Sequence, residues 1–450
     1  MSEFEFLNMA VSQWPTLLGL VLLCVGAIWL GLRKYLAAGI YDPLFFTFGV
    51  AYGINYGIIL LLAVNGLVST FLLSVLAIYP IVLIVAFRWF SSGERPSLLF
   101  RATQLVAQPQ LGGPVFCVAL ASYLGLTYLI GSTIGFGLFA ETNRFDAARG
   151  YGVIIRVLDC LTPFIISFMT LLGLKNRHLT VLMVPLVTSF ILLAAVVNGA
   201  KVSVLFGFVT VLVTLFVARQ GFRIAPWKVA LAMAFGLAFS LLALKVNLDK
   251  NNVADQNNAP LSNVSNLVVV RLIYRVIAFG DTSYLVLPND IIDHLKTDSL
   301  AVRFAAPIVG NTNLSGYLGY DVSDYTVGRQ AVLVQTADTA VFGGPTSHYD
   351  LFAYVYLGAF GGGVFVFVMG ALLGLLNRSL LLIKRDALER RNMYLIALCV
   401  TLWSRGVLML MEPGVGFAYL VDAIVIFPAF SLMCSVVAGA AGRPGAADAA

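Results

Sequence analysis

Apolar residues run in blocks of about twenty along most of the chain, separated by short stretches where Arg, Lys, Asp, Glu, Gly and Pro collect. A helix needs roughly 20 apolar residues to cross the hydrocarbon of a bilayer. On that measure the pattern predicts spans at 16–32, 44–64, 67–87, 115–131, 152–174, 179–197, 202–217, 229–244, 351–376, 393–411 and 415–437. The expected fold is all-α: a polytopic membrane helix bundle of about 11 transmembrane helices with one large, partly helical outer loop. Residues 1–245 would hold the first eight helices, 246–349 the loop, 350–438 the last three, and 439–450 a disordered cytoplasmic tail rich in Gly and Ala.

The loop is not uniform. Its first part, 249–263, is polar and Asn-rich and reads as a linker. The part at 264–287 is apolar enough for a helix, with Val268, Leu272 and Val276 on one face. On the other side of the membrane, 97–107 is expected to lie as an interfacial helix.

Orientation follows from the cations. Sixteen sit on alternate ends of successive spans, from Arg33 and Lys34 through Arg88, Arg95, Arg101, Lys175 and Arg219 to Arg378, Lys384, Arg391 and Arg443. The opposite short ends hold six: Arg144, Arg149, Arg156, Lys201, Lys245 and Arg405. Cytoplasmic loops carry the excess of Lys and Arg, so the N-terminus and the long loop are expected outside and the C-terminus in the cytoplasm.

Composition agrees with this picture. Hydrophobic residues make up 60% of the 450, charged residues 11%, and mean hydropathy is +0.92. A soluble domain carries about 25% charged residues. The net charge of +6 therefore marks topology, not nucleic acid. The five cysteines form no CxxC pair, the three histidines are scattered, and no GxxxxGK[ST] loop is present, so neither a metal site nor ATP is expected. Glu3 and Glu5 stand where a signal peptide carries Lys or Arg, so the first apolar run is expected to stay as a helix.

Some charged residues need a reason. Arg271 and Arg275 are four apart, so one helix face would present two planar guanidiniums, which suits a pyrophosphate. Snorkelling to headgroups, or pairing with Asp281 or Asp293, is the plainer alternative. Arg405 falls inside an apolar run, where a cation costs about 2.5–3.5 kcal/mol, so it should have a partner, with Glu412 or Asp422 as candidates. Arg156 and Asp159 are spaced to neutralise each other on one helix face. Lys201 opens a span as an interfacial anchor or an anion ligand. Possible bases are Asp281 and His348, with Asp350 as a helix cap.

Three segments resemble the Wzy-type O-antigen polymerases, which join oligosaccharide repeat units. They are Asn198-Gly-Ala-Lys201 heading a span, the run from Arg271 to Pro288 containing Gly280-Asp281, and Gly343 to Gly374, where Ser347-His348 precedes Gly358-x-x-Gly361. The related O-antigen ligases keep this spacing with His first in the pair. His348 stands second, which argues against a ligase.

The resemblance implies a glycosyltransferase of the bacterial inner membrane that works at its outer face. A pyrophosphate leaves well and two or three cations can replace a metal, so metal-independent catalysis without a cofactor is expected. Its partners would be undecaprenyl pyrophosphate-linked glycans as donor and acceptor, the bilayer, and a chain-length regulator protein. In that reading Arg271, Arg275, Lys201, Arg405 and Arg329 bind pyrophosphate. Asp281 or His348 takes the acceptor proton, and Tyr317, Tyr320, Tyr325 and Tyr349 stack on sugars. A flippase of the same lipid-linked sugars is the competing class.

Overall fold

The structure is a computed structural model that describes residues 1–136, 150–175, 177–198, 202–219, 276–335 and 344–441, with Trp227, Leu231 and Ala234. These residues are almost wholly helical, with no strand among them. Nine of the helices described are long and apolar enough to cross a bilayer. The protein is an all-α polytopic membrane bundle. The expected span at 202–217 is a shorter apolar helix, the one at 229–244 lies almost wholly outside the described residues, and 249–263 and the first half of 264–287 lie outside them.

The helices are α1 (Glu3–Ser12), α2 (Trp14–Leu32), α3 (Tyr52–Val64), α4 (Thr70–Ser91), α5 (Leu98–Val106) and α6 (Gly112–Thr133). They continue as α7 (Gly152–Lys175), α8 (Arg177–Asn198), α9 (Val202–Ala218), α10 (Asp281–Val286), α11 (Leu300–Val309), α12 (Asn311–Leu318) and α13 (Val327–Gln335). The last three are α14 (Tyr349–Arg385), α15 (Met393–Gly406) and α16 (Pro413–Ala441). A π-helical turn, Phe45–Ala51, leads into α3. The expected short helix at 97–107 is α5, capped by the Ser97 hydroxyl on the Phe100 amide.

Two ends of the bundle are distinct. At one, residues 276–335 form a cap of short helices. Ser283 of α10 donates to Asn55 of α3, Phe6 of α1 stacks on Tyr284 at 4.3 Å, and the Arg303 carbonyl lies against Gly414 at the start of α16. At the other end, side chains tie connections to helices: Asn377 donates to the Tyr35 carbonyl, Lys384 to Ala37, and Asn392 to Ala107.

Helix–helix contact in lipid rests on close approach of small residues, since lipid chains are as apolar as Leu. Glycines line two close helix seams. A Cβ on Gly53 or Gly57 would strike Val25 or Val21 of α2 at about 2.5 Å. Along the α4–α14 seam, a Cβ on Gly370 would meet the Leu83 carbonyl at 2.7 Å, and one on Gly374 the Phe87 carbonyl at 2.7 Å.

The apolar run expected as one span at 351–376 is interrupted. Gly358 adopts φ 67°, ψ −175°, a conformation in which a side chain is strained, and the chain turns sharply there. Gly362 consequently packs against the Ala353 carbonyl, where a Cβ would sit 2.8 Å away. The stretch 349–357 is thus a separate short helix, and the long membrane helix begins after Gly358. Helical periodicity does not reveal such a break, because both parts are equally apolar.

Replacing Gly370 by Val should cost about 1–3 kcal/mol through overpacking against a backbone carbonyl that cannot rotate away. Gly19→Val is the control, because nothing lies within 4 Å of its Cβ position. Thermal unfolding in detergent micelles checks the difference: Gly370→Val should lower the midpoint and Gly19→Val should leave it nearly unchanged.

Candidate functional site

The segment Gly344–Ser347 is non-helical, yet it passes between the cap and the core of the bundle. Gly328, at the start of α13, lies against the Pro345 carbonyl, so closely that any side chain there would displace it. The Thr282 hydroxyl donates to the Thr346 carbonyl at 2.7 Å. Glu412, in the tight turn between α15 and α16, accepts from the Ser347 amide at 2.9 Å and from the Ser347 hydroxyl at 3.0 Å.

These bonds deliver His348 to a buried position with a left-handed backbone, φ 53° and ψ 138°. Non-glycine residues rarely sit there, and such conformations persist only where the surroundings over-determine them. Here two bonds hold it. The His348 amide donates to the Met411 carbonyl at 3.0 Å. The Tyr349 amide donates to the Tyr52 hydroxyl at 3.1 Å, and that hydroxyl donates to the Leu410 carbonyl.

Around the imidazole the polar groups are dense. Its ring lies 5.1 Å from the Tyr52 ring, Tyr56 and Tyr349 share a hydroxyl–hydroxyl bond of 2.7 Å, and Asp350 follows in the first turn of α14. His348 and Asp350 are 1% and 0% exposed. Among the described residues neither ring nitrogen of His348 has a hydrogen-bond partner, nor has one carboxylate oxygen of Asp350. Buried polar atoms are nearly always satisfied, so three orphans in one place call for a functional account. Burial pushes the imidazole down to about 4, leaving it neutral near pH 7 with one donor and one acceptor nitrogen. Burial also raises the Glu412 carboxyl, against the opposing pull of its Ser347 bonds and the charge of Arg303.

The expected site residues fall into three groups. His348 and Tyr349 sit together in this cluster, Tyr349 being fully buried against Tyr52 and Phe48. Asp281 opens α10, the same cap helix that bonds to the cluster through Ser283 and Thr282, and its own carboxylate accepts from the Thr282 amide. Arg329 is buried in the cap and bonded to Asp324 at 3.1 Å; Arg303 is likewise held by Asp298. Tyr320 packs on Tyr325 at 5.0 Å and donates to Asp298, while Tyr317 is exposed. Arg271, Arg275, Lys201, Arg144 and Arg149 lie outside the described residues.

Arg405 finds neither Glu412 nor Asp422. Its guanidinium stands 3.7 Å from Asp159 of α7 and 5.0 Å from the Tyr419 ring centre, and the Tyr419 hydroxyl donates to Asp159. Arg156, expected to neutralise Asp159 one turn along, instead binds Asp422 of α16 with two nitrogens, one at 3.1 Å, and reaches the Ile308 carbonyl of the cap. Both cations therefore pair across helices, and Arg156 does so through two nitrogens.

The sequence reading missed Tyr52, Asn55 and Tyr56. A signal was present: an Asn and two Tyr at i, i+3 and i+4 inside an otherwise apolar span put polar groups on one face. Comparison with protein-family models, with curated proteins and with solved structures finds no match to this chain.

Two outcomes follow. Arg156→Met leaves the partly buried Asp422 without its cation and should cost about 2–4 kcal/mol, whereas adding Asp422→Leu should restore most of it; a double-mutant cycle of unfolding free energies measures this. For His348, the unfolded chain takes up a proton as pH falls through 6.5 while the folded chain resists until about 4. Between those values the parent protein should lose stability relative to His348→Gln, with the two melting temperatures parting as pH drops.

Proposed function

We propose that the protein is a polymerase of lipid-linked glycans, joining oligosaccharide repeat units carried on undecaprenyl pyrophosphate at the outer face of the bacterial inner membrane. The observation that supports this reading is the strained, buried His348 with unpartnered ring nitrogens beside Asp350, at the end of a membrane bundle covered by a helical cap. Neutral near pH 7, the imidazole keeps one ring nitrogen with a lone pair that can accept a proton from a hydroxyl group.

In this scheme the acceptor sugar hydroxyl gives its proton to a ring nitrogen of His348. The oxygen forms a bond to the anomeric carbon of the donor. The bond from that carbon to the diphosphate breaks, and its electron pair leaves with the diphosphate. Arg271, Arg275 and Lys201 are the candidates to stabilise the leaving charge. Arg329 and Arg405, each engaged by a carboxylate, would contribute at longer range. Asp281 remains the alternative base. No step of this scheme draws on a metal or cofactor.

A transporter of the same lipid-linked sugars is the second reading. The helix broken at Gly358 and the ion pairs within α7, α15 and α16 favour it, since transporters use discontinuous helices and intramembrane charges.

Purified protein in liposomes, supplied with a lipid-linked repeat unit, separates the two. Lengthened glycan, reduced about 10²–10⁴-fold in His348→Gln, is the outcome expected of a polymerase with a histidine base. Movement of the sugar across the bilayer without lengthening would sink the polymerase reading. Full lengthening by His348→Gln would sink the assignment of the base.

A further inference from the structure

Two cavities meet at Ala359, where the chain turns at Gly358. One, of about 280 Å³, is polar and is bounded by Phe71, Asp293, Thr297, Tyr354, Gly358 and Ala359. The other, of about 330 Å³, is an apolar trough along the α4–α14 seam, bounded by Ile78, Tyr79, Ala359, Phe360, Gly363 and Val364. Ile78, Phe360 and Val364 are each more than half exposed, so in a bilayer the trough is open to lipid chains. Its floor is fixed: the Tyr79 hydroxyl donates to the carbonyls of Gly358 and Ala359 at 3.1 and 3.0 Å.

An apolar trough continuous with a small polar pocket matches an amphiphile, and the pocket chemistry selects the head. The described residues that bound either cavity include no Lys or Arg. The one charged group is Asp293, which accepts from the Tyr354 hydroxyl at 2.9 Å. A phosphate seated inside the pocket would face that carboxylate without a Lys or Arg among the described lining residues to offset the repulsion. Sugar hydroxyls fit: they donate to Asp293, exchange bonds with Tyr354 and Thr297, and lay an apolar ring face against Phe71 or Tyr354.

We propose that this pair of cavities holds one lipid-linked glycan, its hydrocarbon chain in the trough and its first sugars in the polar pocket. The diphosphate linker is kept out of the pocket, where Asp293 would repel it, and lies at the exposed rim beside Gly358 in contact with water. The site rests on the polymerase reading for the identity of its ligand as substrate, and it assigns recognition of the sugar to Asp293, Tyr354 and Thr297.

Photo-crosslinking of the full chain in lipid nanodiscs tests the site. The probe is a farnesyl diphosphate-linked disaccharide with a diazirine on the terminal isoprene. Cross-links should map to peptides covering 71–82 and 359–367. Farnesyl diphosphate without sugar should compete about tenfold less well, and free disaccharide should not compete. Tyr354→Phe and Asp293→Asn, which change one polar atom each, should each weaken labelling about fivefold. Ala359→Trp, which fills the junction, should abolish it.

Equal competition by the sugarless lipid, or labelling unaffected by Tyr354→Phe and Asp293→Asn, would overturn the proposal. Loss of labelling by free disaccharide would overturn the requirement for the lipid chain. Specific labelling by a protein that lengthens no glycan would sink the polymerase reading alone. Undiminished glycan lengthening by Ala359→Trp would sink this site alone.

Discussion

The architecture depends on satisfying backbone polar groups where there is no water to do so. Irregular chain at membrane depth is tolerated only when protein groups take over its hydrogen bonds. Residues 344–349 enter the bundle from such an irregular stretch, and five bonds from four residues hold it: one from Thr282 of the cap, one to Tyr52 of α3, one to the Met411 carbonyl, and two to the oxygens of Glu412. Each of those partners is itself placed by a helix end or a helix seam. The strained backbone at His348 is the point where these demands converge, and relaxing any one of them would free the imidazole to leave its position.

Charge follows the same logic. Four ionisable residues on three apolar helices form two cross-helix pairs, Arg156 with Asp422 and Arg405 with Asp159, and the second is backed by Tyr419. A cation alone in the membrane is costly, but paired groups with directional bonds also fix the mutual rotation of α7, α15 and α16. Arg156 extends this link to the cap through the Ile308 carbonyl. The cap is thereby coupled to the bundle by a charged contact as well as by apolar packing.

Much of the fold was legible in the chain because hydrophobic length is a direct physical requirement of a bilayer. The first seven runs and the last two correspond to helices with ends close to those expected, and the segment expected as an interfacial helix at 97–107 is α5. The turn at Gly358 was not legible, since a glycine in an apolar run reads equally as packing or as a break. The partners of Arg405 and Arg156 were also hidden: sequence spacing ranks neighbours on one helix, whereas the nearest carboxylates lie on others. Of the candidate site, His348 and Tyr349 stood out as polar residues entering a span, but the three residues of α3 beside them became meaningful only once the helices were assembled.

The stacking of Phe6 on Tyr284 binds the first helix of the chain to the cap. The capping box made by Ser2 and Glu5 orders that helix from its first turn, so its beginning is anchored too. The two therefore share one side of the membrane whichever side that is. Determining whether a reagent that cannot permeate lipid reaches the first residues would fix the sidedness of the cap, and with it the direction of every helix in the bundle.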